Sequence, residues 1–141
     1  MQISTQITTV AEMEALGVEI AARLNVGDLV ILRGELAAGK TALVRGIGAG
    51  LGITEQISSP TFVIARRHQG RIPLTHVDLY RLLDHANANA EVGDLDLEGD
   101  LTSGVVVVEW GDESYFDDVR LLVDIAILTP GEREVTLEWR S

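Results

Sequence analysis

The sequence predicts an α/β fold with a mostly parallel central sheet and antiparallel edge strands, on three observations. The string GELAAGKT at 34–41 matches the phosphate-cradling pattern G-x-x-x-x-G-K-[ST] at every fixed position. It lies between an apolar run at 29–32 and a helical pattern at 41–51, the order strand, loop, helix that such a loop needs. The run Val105-Val106-Val107-Val108 ends on Glu109 and gives the strongest buried-strand signal in the chain. Turn chemistry at Gln69-Gly70-Arg71 and at Thr129-Pro130-Gly131-Glu132 joins further strands in pairs.

Taken in order, residues 9–24 read as a helix. Thr9-x-x-Glu12 fits a capping box, and Val10, Met13, Leu16, Ile20 and Leu24 recur at helical spacing. Asn25-Val26-Gly27-Asp28 is a turn leading into the strand at 29–32. The helix at 41–51 places Leu43, Ile47 and Leu51 on one face and ends among Gly48, Gly50 and Gly52. Residues 57–65 form a loop running into a strand, with Pro60 holding Ser59 extended. A strand at 72–78 follows the first hairpin turn, and the acidic stretch 84–104 forms one or two short surface helices. Strands at 121–128 and 134–139 close the chain.

Composition narrows the setting. A chain of 141 residues, 46% hydrophobic and with three prolines, suits one domain over 1–141 built on a single core. No apolar run approaches the ~20 residues of a membrane span, and the first ten residues lack the basic start and apolar block of a signal peptide. The absence of cysteine excludes disulfides and thiolate metal sites and is compatible with the cytoplasm. A net charge of −11 repels nucleic-acid phosphate, so any RNA contact falls mainly to partners.

The chemistry starts at the loop, where backbone N–H groups and a helix N-terminus converge on an anion. Lys40 is the only lysine against ten arginines. A compact ammonium fits among phosphates where a planar guanidinium fork does not. Thr41 is the expected Mg²⁺ ligand. The metal also wants a carboxylate at a strand end, and two have that form: Asp78 after Leu74-Thr75-His76-Val77, and Glu109 after the valine run. Ser59-Pro60-Thr61 lies about one helix and a return loop beyond Thr41, close enough to sense a terminal phosphate. His76 reads as a packed core histidine and His68 and His85 as solvated. Trp110 stacks on a base or a partner, or packs in the core. Arg66, Arg67 and Arg71 form a small solvated basic cluster.

Four stretches in this order, GELAAGKT at 34–41, SPTF at 59–62, HVDLYRL at 76–82 and VVVVEWGD at 105–112, resemble the bacterial tRNA threonylcarbamoyladenosine biosynthesis ATPase family TsaE, also called YjeE. The resemblance spans most of the chain. It implies a three-layer α/β/α P-loop NTPase fold and a weak ATPase that binds ATP and Mg²⁺. Its partners would be TsaD and TsaB, in a complex that modifies the adenosine next to the anticodon of tRNA. By that pattern the loop residues Gly34, Glu35, Leu36, Ala37, Ala38, Gly39, Lys40 and Thr41 hold the phosphates. Thr41 and Glu109 serve the metal, with Asp78 a catalytic or metal-associated acid and Thr61 the active hydroxyl of a switch loop. Thr9-Val10 lies towards the nucleotide, and Asp112 and Arg133 match further nucleotide-contacting positions. Where the family usually has glycine, this loop has Ala37; if Ala37 takes φ > 0 the strain is on the order of 1 kcal/mol.

Two other functions share these motifs. A small P-loop kinase would need a mobile lid carrying arginines, and the segment 84–104 is a poor lid because no arginine lies between Arg81 and Arg120. A nucleotide-dependent binding module with incidental hydrolysis would not need both Asp78 and Glu109. A GTPase is disfavoured because no N-K-x-D motif is present.

Overall fold

Seven strands form one mixed sheet in a computed structural model that describes residues 2–35, 38–57, 65–79, 97–110, 116 and 118–140. They are β1 (Gln2–Ile7), β2 (Leu29–Gly34), β3 (Ala65–His68), β4 (Leu74–Asp78), β5 (Val105–Glu109), β6 (Leu121–Thr129) and β7 (Glu132–Trp139). Their order is β1-β7-β6-β2-β5-β4-β3. The pairs β6–β2, β2–β5 and β5–β4 are parallel, whereas β1–β7, β7–β6 and β3–β4 are antiparallel. The expected parallel centre with antiparallel edges is what the chain adopts. The expectations on Leu36, Ala37, Asp112, the 59–62 string with Thr61, and 80–82 lie outside the described residues.

Both faces of the central strands are covered, which is why β2 and β5 read as continuous apolar runs. On one face α1 (Val10–Ala21) and α2 (Lys40–Gly50) pack over Val30, Leu32, Val105, Val107, Leu121 and Val123. On the other, Leu97 of the short helix α3 (Leu97–Leu101) packs with Ile31, Val77, Val106, Val108 and Val119. The four valines of β5 thus divide evenly between two cores, and all are fully buried.

α1 starts where the capping chemistry placed it. Thr9 Oγ1 accepts from the Glu12 N–H at 3.0 Å. The Glu12 carboxylate departs from the simple capping box, because it reaches Thr8, accepting from its N–H at 3.0 Å and its hydroxyl at 2.5 Å. The helix ends at Ala21, short of Leu24, which nevertheless remains in the core. β1 is an element the sequence reading did not contain. His68 departs from its expected solvated state: it is 5% exposed, and its Nδ1 lies 2.5 Å from the Glu55 carboxylate. No helix among the described residues is long and apolar enough to cross a membrane.

α3 is tied to β3 by Arg67, which donates to both Asp100 oxygens at 2.7 and 2.8 Å. The Arg67 hydrogen bond holds the Asp100 carboxyl below its usual range, with partial burial opposing and Thr75 adding a smaller pull downward. A depressed carboxyl stabilises the fold above its unfolded-state pKa, and the contribution disappears as pH falls through the folded-state value. Because Arg67 is half exposed, Asp100→Asn should cost only about 0.2–1 kcal/mol at neutral pH. In urea unfolding, the gap between the two proteins should close as the pH drops below about 3.9.

Candidate phosphate-binding site

The site is built at the carboxyl ends of β2, β5 and β4, where parallel α/β sheets hold their ligands. β2 runs into the glycine loop and α2 leaves it. Gly39 caps α2 with φ +109°, a left-handed backbone that favours glycine, and no side chain caps the helix start. The first N–H groups of α2 and the positive end of its dipole therefore face the loop.

Lys40 is 5% exposed. Its Nζ donates to the carbonyls of Gly34 at 2.7 Å and Glu35 at 2.8 Å. It also lies 3.8 Å from the centre of the Trp110 ring, a cation–π contact. Burial pushes the Lys40 pKa below its ordinary value, while the charges of Glu109 and then Asp78 pull it back up. Those two acids therefore act electrostatically on the loop ammonium. They are also direct neighbours: β4 and β5 pair in parallel with Asp78 opposite Glu109. Strand alternation puts His76, Asp78 and Glu109 on the face that carries α2, the face of Leu74, Val105 and Val107.

Glu109 is 3% exposed, and one of its oxygens, Oε2, is hydrogen-bonded by Nε2 of His76. The core histidine expected at 76 is buried as expected, but it is bonded to an acid of the site. β5 stops at Glu109 because Trp110 turns the chain with φ +65°, anchored by its N–H to the Leu32 carbonyl at 3.1 Å. Trp110, expected to stack on a base or partner or to pack in the core, lies here against Lys40.

A cavity of about 210 Å³ opens beside the start of α2. Its walls include Thr9, Val10 and Met13 at the start of α1, Ala38, Gly39 and Ala42 of the loop and α2, and Arg133 with Pro130 and Gly131. Val10 and Arg133, far apart in sequence, thus meet on one cavity that adjoins the glycine loop. Arg133 is tied to the loop directly, donating from Nε to the Ala38 carbonyl at 3.2 Å, and from Nη1 to Thr129, Pro130 and Glu132 carbonyls. Met13 and Pro130 are additions that sequence reasoning missed. Among the described residues no cluster of three or more His, Asp or Glu side chains forms a ready-made metal cage.

This geometry can be set beside known proteins. A sequence profile of the family described as threonylcarbamoyl adenosine biosynthesis protein TsaE matches residues 7–135. A Streptomyces coelicolor protein named tRNA threonylcarbamoyladenosine biosynthesis protein TsaE is 48% identical over 122 residues, covering 82% of this chain and 80% of that protein. A Mycobacterium bovis protein of the same name is 48% identical over 103 residues, which is 69% of this chain but only 61% of that longer protein. A crystal structure of Bacillus subtilis YdiB superposes with a TM-score of 0.82 at 30% identity, covering all of this chain and 87% of the other. The chain belongs to the TsaE family of threonylcarbamoyl adenosine biosynthesis proteins.

Proposed function

We propose that residues 1–141 act as one Mg²⁺-dependent ATPase domain in the cytoplasm. In this reading it is the nucleotide-driven component of the assembly, with TsaD and TsaB, that forms N6-threonylcarbamoyladenosine next to the anticodon of tRNA. The observation that carries the reading is the convergence, at the carboxyl ends of three adjacent central strands, of a loop lysine, an uncapped helix start and two paired acids. A binding cradle alone needs the first two; two carboxylates placed against a phosphate site are suited to hold a cation and direct water.

ATP is the substrate. Its phosphates would lie on the amides of the glycine loop and on Lys40, whose ammonium would exchange loop carbonyls for phosphate oxygens. Its base would enter the cavity between Val10 and Arg133. The residues present fit Mg²⁺: Thr41, Asp78 and Glu109 offer hard oxygen donors, and Mg²⁺ typically takes one or two carboxylates alongside phosphate oxygens. When bound, the ion would neutralise charge on the phosphate oxygens during transfer to water. Asp78 and Glu109 then divide two tasks, holding the ion and orienting the water. Thr61 and Asp112 are proposed to add the switch hydroxyl and a further nucleotide contact. The acidic surface leaves tRNA contact mainly to the partner proteins.

Phosphate release from ATP, measured for the purified chain alone and with TsaD and TsaB, tests this. Slow release alone and strong stimulation by the partners is the expected result. No release with partners and Mg²⁺ present would remove the ATPase reading. Transfer of phosphate to a small metabolite without partners would replace it with a kinase.

A further inference from the structure

His76 is a polar side chain that the proposed chemistry has not used. It is fully buried on β4, two residues before Asp78, and its Nε2 bonds Oε2 of Glu109. Its other nitrogen, Nδ1, has no hydrogen-bond partner among the described residues. With the Glu109 oxygen as acceptor, Nε2 is the donor of this bond. A proton on Nδ1 would have no partner among the described residues, and a buried donor left unsatisfied is costly. In that arrangement Nε2 is the nitrogen engaged with Glu109, and Nδ1 the one without a partner among the described residues.

Packing does not explain this residue. A leucine or phenylalanine would fill the same space without an orphaned nitrogen, and β4 is otherwise supplied with apolar groups at Leu74 and Val77. What the ring adds is a fixed donor to a carboxylate that is itself nearly excluded from water. Glu109 has three rotatable side-chain bonds; a donor held in a strand removes that freedom at one oxygen. Fixing Oε2 also limits where the other oxygen, Oε1, can turn, on a residue whose charge, with that of Asp78, acts on Lys40.

We infer that His76 is a positioning residue, holding Oε2 of Glu109 so that Oε1 is aimed at the reacting phosphate and its ion. The inference rests on the ATPase reading given above. Partners that orient ligating carboxylates are typically worth about 10- to 100-fold in metal affinity or activity.

The test uses the full chain with its TsaD and TsaB partners and four variants. His76→Leu keeps the bulk and removes the donor. His76→Gln places an amide N–H as many bonds from the backbone as Nε2, and His76→Asn stops one bond short. Glu109→Ala serves as the reference. For His76→Leu, kcat should fall about 10- to 100-fold and the Mg²⁺ concentration for half-maximal rate should rise. ADP affinity measured without Mg²⁺ should stay unchanged. His76→Gln should recover most of the loss and His76→Asn should not. Imidazole nitrogen NMR of the unliganded chain should show Nε2 protonated.

A folded His76→Leu protein with unaltered kcat and Mg²⁺ dependence would overturn the inference. So would equal behaviour of the glutamine and asparagine variants, which also decides the matter if His76→Leu does not fold, or an Nε2 without its proton. If Glu109→Ala itself hydrolyses ATP at the full rate, the failure lies in the assignment of Glu109. If Glu109→Ala is impaired while His76→Leu is not, only the role of His76 fails.

Discussion

Lys40→Ala is expected to lower ATP turnover by about 10²- to 10³-fold, the scale of losing one preorganised donor to developing charge. Three features set this size. The residue is only 5% exposed, so its interactions are less screened than those of a surface lysine. It already donates to the Gly34 and Glu35 carbonyls, which brings it to the mouth of the loop and orders the backbone there. It also offsets the charge of Glu109 and Asp78, which would otherwise stand unbalanced beside an incoming triphosphate. Lys40→Arg should rescue little, because a five-donor planar fork cannot take the place of a point charge between two carbonyls and the Trp110 ring. Phosphate-release rates and ADP titration calorimetry measure both variants, with cooperative melting as the check on folding. An alanine variant within about tenfold of the unsubstituted rate, or 1.4 kcal/mol, would remove Lys40 from the phosphate chemistry.

How much of this was readable in one dimension follows from what each residue depends on. β2 and β5 are sandwiched between two cores, so burial on both faces writes an unbroken apolar run into the sequence. The glycine loop was readable because its glycines, lysine and threonine are adjacent in the chain. β1 was not: it is an edge strand, Ile7 is its one buried residue, and QISTQI shows no core-facing stripe. That gap mattered for the site. β1 pairs with β7 so that Ile7 lies opposite Arg133, and this register brings the start of α1 to the β6–β7 turn. Val10 and Arg133 were therefore singled out only by family resemblance; without β1 no physical argument joined them. His76 and Glu109 stand 33 residues apart and meet only through the parallel register of β4 and β5. Polar neighbours such as Arg66, Arg67 and Gln69 likewise hid the burial of His68.

Gly46→Ala should destabilise the protein by about 2–3 kcal/mol, a net penalty for overpacking at a helix crossing. The sign runs against helix propensity, which favours alanine over glycine by about 1 kcal/mol in a helix interior. Contact with backbone decides it. A Cβ on Gly46 would lie 2.0 Å from the Glu14 carbonyl oxygen and 2.8 Å from its carbon. On the facing helix, a Cβ on Gly17 would lie 2.4 Å from the Leu43 carbonyl oxygen. Neither clash can be relieved by a side-chain rotation, so α1 and α2 would have to separate. Their N-terminal ends carry opposite walls of one cavity, Val10 on α1 and Ala42 on α2, with Gly39 just before it. Separation should therefore weaken ADP binding along with stability, although Gly46 itself lies a turn and a half into α2. Gly131→Ala supplies the comparison: nothing lies within 4 Å of an added Cβ there, and its stability should change by no more than about 0.5 kcal/mol. Urea unfolding of the two variants, with calorimetric ADP titration of Gly46→Ala, measures these effects. A Gly46→Ala protein as stable as the unsubstituted chain would show that the two helices can part without loss, and that the cavity does not depend on their close approach.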